Sequence, residues 1–582
     1  MTLLARITFA LLVAATFAAF FVTARIKRAP PVVLGVRFAP VAFSPALPGS
    51  ARTSRTSLSF SLKRGDDASV EVVDADGDVV RTLLDRTLAA RHRVRLVWSG
   101  RDDAGRRLPD GYYQVHVGLR HQGRTVVLPG AWKLDTHAPR PRLLRVGGRN
   151  PRRARAPLIV SARRAHAVRV RFARAAARGS ALVVEETSRA RPRVVAVSRR
   201  HRGPRILVWD GRVGGRPAPP GIYRLRVRAR DDARNVGLTP GRLRGIGVTV
   251  RGVAVQAPLV PVRRGRRVVA FVDARGAPWR WMLRRVGGGR AARGSGRGVR
   301  LAFVAPARGG LYVLTVRAGR FGARTPLVVA GRRASRLVVL PAASWQGTVA
   351  ADDDGDGVPN TLRAREPAPV VRPRTALPPG WAGTAALVAR LDAPGHGRGY
   401  EITTDLGLLP GGRGPRLAGH RGVLLAGAAR WELPAVGRAL RGWVARGGRL
   451  ALLDPQTLRR EVRLTGGALV DPGPLTSRDA LGTRLGPLVR RPRDITVFSD
   501  HADLFTTTGG LFARQPGYEA VTEPPPTALL AVAGPDPDTP VISAQRLGTG
   551  RILRAGLPGF TSRLRNPDIA ALVDQAWLLL SR

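Results

Sequence analysis

The sequence predicts a multidomain chain. An N-terminal transmembrane helix leads into tandem all-β Ig-like sandwiches and then a C-terminal α/β domain on a mostly parallel sheet. Three observations predict it. An uncharged apolar run, Ile7–Ala24, opens the chain. Two separated segments, Val97–Val117 and Val208–Val227, repeat one strand–turn–strand pattern. From about Leu337 onward, buried apolar runs alternate with helix-period patterns. A chain of 582 residues is too long for a single hydrophobic core. The shifts in pattern place the helix at 1–28, three sandwiches at 29–138, 139–250 and 251–333, and the α/β domain at 334–582.

The N-terminal run is bounded by Arg6 and by Arg25, Lys27 and Arg28. As a helix it would reach about 27 Å, enough to cross the bilayer hydrocarbon with slight tilt. It reads as a signal anchor; a cleaved signal peptide is the alternative, with Val22-Thr23-Ala24 as its small-residue cleavage site. The basic residues after the run pull the following chain inward. The sandwiches point the other way, because such modules belong to extracytoplasmic proteins, and on that ground the bulk is expected outside.

Composition narrows the chemistry. There are 98 Lys and Arg against 39 Asp and Glu, a formal net charge of +59. Lys27, Lys63 and Lys133 are the only lysines, so nearly all of this charge is arginine. Arginine spread along the whole chain with abundant Ala, Gly and Pro is what a GC-rich coding sequence produces. The basic residues form no stripe interleaved with aromatics, so specific nucleic-acid binding is not expected. Salt-dependent attraction to polyanions is. There is no cysteine, which excludes disulfides, thiolate metal sites and a cysteine nucleophile. No lysine follows Lys133, which excludes a Walker-A or Schiff-base lysine from the C-terminal two-thirds.

Each half of the β repeat carries V-W-x-G-R, a turn, and G-x-Y before an alternating strand. Trp98 aligns with Trp209, Gly111 with Gly221, and Tyr113 with Tyr223. "GGLYVLTVRAG" (Gly309–Gly319) carries the glycine–tyrosine–strand element a third time. These aromatics are expected in the core, anchoring the corner where the last strand returns to its sheet. The first unit, from "FSP" (Phe43–Pro45) through "VEVVDADGDVVRTL" to "VWSGRDDAGRRLPDGYYQV", resembles the FlgD-type Ig-like domain of flagellar hook capping proteins and many bacterial surface proteins. The resemblance implies a spacer or adhesive module in an exported protein.

The C-terminal reading rests on "RLVVLPA", "ALVARLD", "GVLLAG", "RLALLD", "ALLAVAG" and "PVISAQRLGTGRILRAGLPG", with helices after Leu433 and at the chain end. Pro434–Arg446 puts Val436, Ala439, Leu440, Trp443 and Val444 on one face. In the last helix Asn566 caps, Pro567 opens the first turn, and Ile569, Leu572, Val573, Ala576, Trp577 and Leu580 face the core. "LPAASWQGTVAADDDGDGVPNTL", "GYEITTDLGL" and "GHRGVLLAGAARWELPAVGRALRGWVARGGRLALLD" resemble the C-terminal domain of N,N-dimethylformamidase large-subunit-like proteins. That resemblance implies a class I glutamine-amidotransferase-like, flavodoxin-type fold. It also implies where the family's metal-binding groups should stand. The histidine and glutamate of its loop fall on Ala428 and Arg430, and a tyrosine falls on Thr348, while Tyr400 is kept. A guanidinium has no lone pair to offer a metal and repels it, so the site reads as degenerate.

The sequence fits two functions. One is a surface protein whose C-terminal domain binds or scaffolds, attracted to anionic wall polymers or lipid head groups and held to the membrane by its N-terminal helix. The other is an amidase-like hydrolase using Tyr400, Asp405 or Glu432 in a rearranged site. "DDDGDGVPN" offers Asp352, Asp354, Asp356 and Asn360 as oxygen donors for calcium, with Arg363 where an EF-hand needs a bidentate acid; a solvated acidic turn is the alternative. "FSDHADLF" sets Ser499, Asp500 and His501 side by side. Catalytic triads assemble from distant segments, so this is read as incidental. His420, ahead of a buried strand, reads as a loop histidine.

Overall fold

The computed structural model describes Thr8 and residues 12–16, 32–173, 179–188, 191–201, 205–393, 399–411, 414–524 and 526–581. Most of the run Ile7–Ala24 lies outside them. Among the described residues no helix is long and apolar enough to cross a membrane, so the expected transmembrane helix at 1–28, most of which lies outside them, is not supported.

Strands dominate the molecule, at 44% against 11% helix. In the first β unit a sheet of Val33–Ala39, Thr56–Leu62 and Arg93–Trp98 packs on a five-stranded sheet containing Asp66–Val73, Gly111–Leu119 and Arg124–Leu134. Thr56–Leu62 alternates buried and half-buried at every residue, the period-two signature of a strand with one face in a core. The second unit pairs a sheet of Arg142–Val146, Val168–Ala173 and Ile206–Trp209 with one centred on Gly221–Arg230. The third pairs Ala254–Gln256, Arg267–Asp273 and Arg300–Val304 with a four-stranded sheet containing Gly310–Ala318.

One device closes all three units. The Tyr113 hydroxyl donates to Pro109 O at 2.7 Å, Tyr223 to Pro219 O at 2.8 Å, and Tyr312 to Arg308 O at 2.5 Å. Each bond reaches back four residues, so each tyrosine pins the turn ahead of its own strand. Trp98 and Trp209 are buried, lie 5.1 and 5.3 Å from Tyr113 and Tyr223, and donate to the carbonyls of Arg101 and Arg212 at 3.0 Å.

The C-terminal sheet has nine strands: β1 (Arg336–Leu340), β2 (Glu401–Thr404), β3 (Gly422–Leu425), β4 (Arg449–Leu452), β5 (Arg493–Asp500), β6 (Leu511–Gln515), β7 (Leu529–Gly534), β8 (Ile542–Leu547) and β9 (Gly550–Ala555). Their spatial order is β2-β1-β3-β4-β9-β8-β7-β5-β6. The four pairings from β2 to β9 are parallel, and the four from β9 to β6 are antiparallel. Smaller sheets, among them Ala368–Pro369 with Ala468–Val470 and Arg463–Thr465, add to it. The expected mostly parallel α/β domain is therefore corrected to a strand-rich domain with a mixed sheet. The signal for the difference lies in "RLGTGRIL". Leu547 pairs with Gly550 across Gly548-Thr549, with Gly548 at φ 58°, and a two-residue turn of this kind joins antiparallel strands only.

Among the described residues four α-helices cover this domain: α1 (Ala342–Gly347), α2 (Trp381–Leu391), α3 (Pro434–Ala445) and α4 (Pro567–Leu579). "ALVARLD" is the second half of α2, not a strand; Leu387, Val388 and Leu391 bury one helical face. In α3 the buried face is Val436, Gly437, Leu440, Trp443 and Val444, while Ala439, expected there, is exposed. Asn566 caps α4 by accepting from the Ile569 amide at 3.0 Å, and every apolar residue assigned to its inner face is buried.

Candidate functional site

From β1 the chain passes to β2 on one side, and from β3 it passes to β4 on the other. The sheet order therefore reverses between β1 and β3, and the carboxyl ends of these strands form the crevice where open sheets bind ligands. The loop after β3 contributes Ala428, Ala429, Arg430 and Trp431; the segment after β1 contributes α1 and the turn at Leu362–Ala364; the loop after β4 contributes Asp454 to Arg460.

The three catalytic candidates do not converge. Asp405 follows β2 and is buried; both carboxylate oxygens accept from the Ala343 amide at 3.1 Å, and Oδ1 also accepts from Leu406 N at 2.8 Å. It ties the start of α1 to the end of β2. Burial pushes its pKa up to about 7 against the opposing pull of these amides. Tyr400 precedes β2, so four extended residues, about 13 Å of strand, separate it from Asp405. Its hydroxyl donates to Asp392 at 3.0 Å, its ring meets Trp577 edge-on at 5.8 Å, and burial raises its pKa. Glu432 sits in a two-residue strand paired with Arg460–Glu461. Its Oε2 is buried without a partner beneath Gly437, where an added Cβ would come within 2.4 Å of it. Burial first, then Glu461 and Asp479, push its pKa up to about 8.

Arg430 stands in the crevice. It lines a cavity of about 320 Å³ together with Arg363, Arg365, Arg460, Arg490 and Gln456, and no carboxylate lines it. Arg430 Nε is buried and unpartnered. Burial, then the charge of Arg363, depress its pKa, and Arg460 and Arg490 push the same way. The acid acting on it, Asp454, is itself buried with its pKa pushed up to about 7. Sequence reasoning singled out Arg430 but missed the other four arginines, because among 98 basic residues nothing marks which ones converge.

The acidic loop is a joint between domains. The oxygens of Asp352, Asp354 and Asp356 lie within 4.8 Å of one another. Asn360 does not join them: its Oδ1 accepts from Asp353 N at 2.6 Å. Asp352 is buried, accepting from Gly355 N at 2.6 Å and Gly357 N at 2.9 Å. The loop carbonyls of Gly355 and Gly357 accept from Gly247 N at 2.8 Å and from the Thr187 hydroxyl at 2.6 Å, both in the second sandwich. The loop is docked, not solvated. Asp500 spends its carboxylate on the amides of Leu504 and Phe505, each at 2.7 Å, in a turn. His420 Nε2 lies 2.9 Å from Glu401 Oε2, at the amino end of β2 and away from the crevice.

The fold and this site describe a modular protein of β-sandwiches followed by a mixed-sheet domain with a cationic crevice. Residues 44–123 match the FlgD Ig-like domain family, so the first sandwich is an Ig-like module of that kind. No curated protein matches the chain. Among solved structures, PorZ, a surface component of the type-IX secretion system of Porphyromonas gingivalis, aligns at 20% identity over 17% of this chain and 11% of its own, with a TM-score of 0.13. The exo-β-1,4-mannosidase Op5Man5 from Opitutaceae bacterium strain TAV5 aligns at 11% identity over 42% and 35%, with a TM-score of 0.24. The fibronectin(III)-like modules of Clostridium thermocellum CbhA align at 12% identity over 37% and 94%, with a TM-score of 0.20. The chain thus spans about a tenth of PorZ and about a third of the mannosidase. At these TM-scores none of them lends this chain an activity.

Proposed function

We propose that the chain is an extracytoplasmic binding protein in which the β-sandwiches hold out a C-terminal domain that captures an anionic ligand and does not hydrolyse amides. The observation that carries this reading is the lining of the crevice between β1 and β3, five arginines and no carboxylate. Amide hydrolysis on a metal needs oxygen or nitrogen donors around an open coordination position, and guanidinium supplies none. The likeness of residues 419–454 to dimethylformamidase large-subunit-like proteins supports it, since Ala428 and Arg430 replace that family's histidine and glutamate. The FlgD-type module supports an exported protein. The net charge of +59 favours anionic wall polymers or lipid head groups as what the surface meets.

Purified full-length chain tested against simple amides, with metal analysis alongside, is expected to show neither turnover nor stoichiometric metal. It is expected to bind an immobilised anionic polymer at low salt and release it at high salt. Iron or zinc at one equivalent together with amide turnover would overturn the binding reading, and proteins protected from protease in intact cells would overturn the placement.

A further inference from the structure

We propose that the arginine-lined cavity at the carboxyl ends of β1 and β3 is a specific binding site for a multiply charged phosphate group. This deepens the binding reading above by naming the site and the ligand chemistry. Arg363 and Arg365 come from the segment after β1, Arg430 from the loop after β3, and Arg460 from the loop after β4; Arg490 completes the ring. None of the five donates a side-chain hydrogen bond or joins an ion pair among the described residues, whereas arginines such as Arg459 and Arg554, elsewhere in this domain, are paired with acids. Like charges brought together with no ion pair to any of them raise the energy of the fold, Asp454 beside Arg430 offsetting this only in part, and a bound anion relieves it.

The loops are built to hold this arrangement. Arg365, Gln456 and Leu458 all adopt left-handed backbone, at φ 59°, 58° and 57°, a conformation that side chains other than glycine disfavour and that persists only where surroundings impose it. Glu519 imposes it after β4: its Oε2 accepts from Gln456 N at 2.8 Å and its other oxygen forms a buried ion pair with Arg459. Leu458 N donates to Ala429 O at 2.9 Å, locking that loop to the one carrying Arg430. Trp431 and Arg460 are then register partners, which fixes Arg460 beside Arg430.

Guanidinium forks match the oxygens of carboxylate and phosphate. Five of them with no acid on the lining call for more than one negative charge, which a phosphomonoester or diphosphate carries and a single carboxylate does not. A cavity of about 320 Å³ admits a phosphate with a small attached group. The phosphate could belong to a free small molecule or to a lipid head group; the chemistry at the site is shared.

Calorimetric titration of the full chain with sodium diphosphate, and flotation with phosphatidylcholine vesicles containing phosphatidic acid, test the site. Diphosphate is expected to bind at one equivalent. Removing one guanidinium in Arg430→Ala, or reversing charge in Arg363→Glu and Arg490→Glu, is expected to weaken it about tenfold or more. Arg363 and Arg490 are exposed, so their variants retain the fold, and Arg546→Glu on β8 serves as the surface control. Diphosphate binding without vesicle binding assigns a free ligand, and binding of both with the same variant sensitivity assigns a head group. No saturable heat, or equal weakening in Arg546→Glu, would overturn the proposal. Amide turnover with diphosphate binding intact would sink the non-catalytic reading alone.

Discussion

Asp405 holds the Ala343 amide with both carboxylate oxygens at 3.1 Å, fastening the first turn of α1 to the end of β2. A residue that looks catalytic in the sequence is thereby a capping group. Asp405→Ala removes the acceptor for two buried amides and is expected to cost about 1–3 kcal/mol in urea unfolding. Ligand retention per folded molecule should not change. A variant with native stability would show that those amides find other partners.

Glu432 and Asp454 make the C-terminal domain sensitive to base. Their pKa values are pushed up to about 8 and about 7 in the folded chain, from ordinary values near 4 in the unfolded chain. The folded state therefore keeps protons that the unfolded state has lost. Their contribution is fully present at acid pH and disappears as pH rises through the folded values. Urea midpoints should fall between about pH 5 and pH 9. Glu432→Gln should flatten that slope and be more stable than the parent at pH 9, on the order of 1 kcal/mol or more. A midpoint that rises with pH across this range would contradict the burial of these groups.

The three tyrosine corners should be energetically alike. Tyr113→Phe, Tyr223→Phe and Tyr312→Phe each delete one hydroxyl–carbonyl bond in a packed corner, at a cost of about 1 kcal/mol. Tyr112→Phe, at an exposed position, should cost nothing measurable. Thermal melts of the four variants decide it, and a penalty confined to one corner would mean the repeated geometry is not repeated in energy.

Gly247 is where the second sandwich meets the acidic loop. A Cβ there would stand 2.1 Å from Asp352 Oδ2 and 2.6 Å from Gly357 N, so Gly247→Ala cannot fit without separating the two. Thr187→Val loses the bond to Gly357 O more gently. Both should expose the loop to proteolysis between Asp352 and Asn360, Gly247→Ala more strongly. Unchanged cleavage in Gly247→Ala would mean the junction yields without opening.

Calcium bears on the same loop. Both oxygens of Asp352 already accept backbone amides, and Asn360 is turned to Asp353; Asp354 and Asp356 each spend one oxygen as well, on Asp356 N at 3.3 Å and Val358 N at 2.7 Å. Titration of the full chain at millimolar calcium is expected to leave the melting temperature unchanged. A saturable heat abolished by Asp354→Asn would assign an ion to the loop.

The amino-acid order by itself determined the elements whose cause is local. Period-two runs, the V-W-x-G-R and G-x-Y repeats and the Asn566-Pro567 cap act within a few residues, so the sandwiches and the helices α3 and α4 were legible. The hairpin turn at Gly548-Thr549 was equally local and was outweighed by the buried runs around it, which look the same in parallel and antiparallel strands. Tertiary structure alone decided the site. Tyr400 and Asp405 are five residues apart in the sequence, yet a strand sends them to opposite ends of the sheet. Arg363, Arg430, Arg460 and Arg490 are scattered along the chain, yet the reversal of strand order between β1 and β3 gathers them. Which charges share a cavity depends on strand order, and strand order is set by contacts between segments that no local pattern encodes.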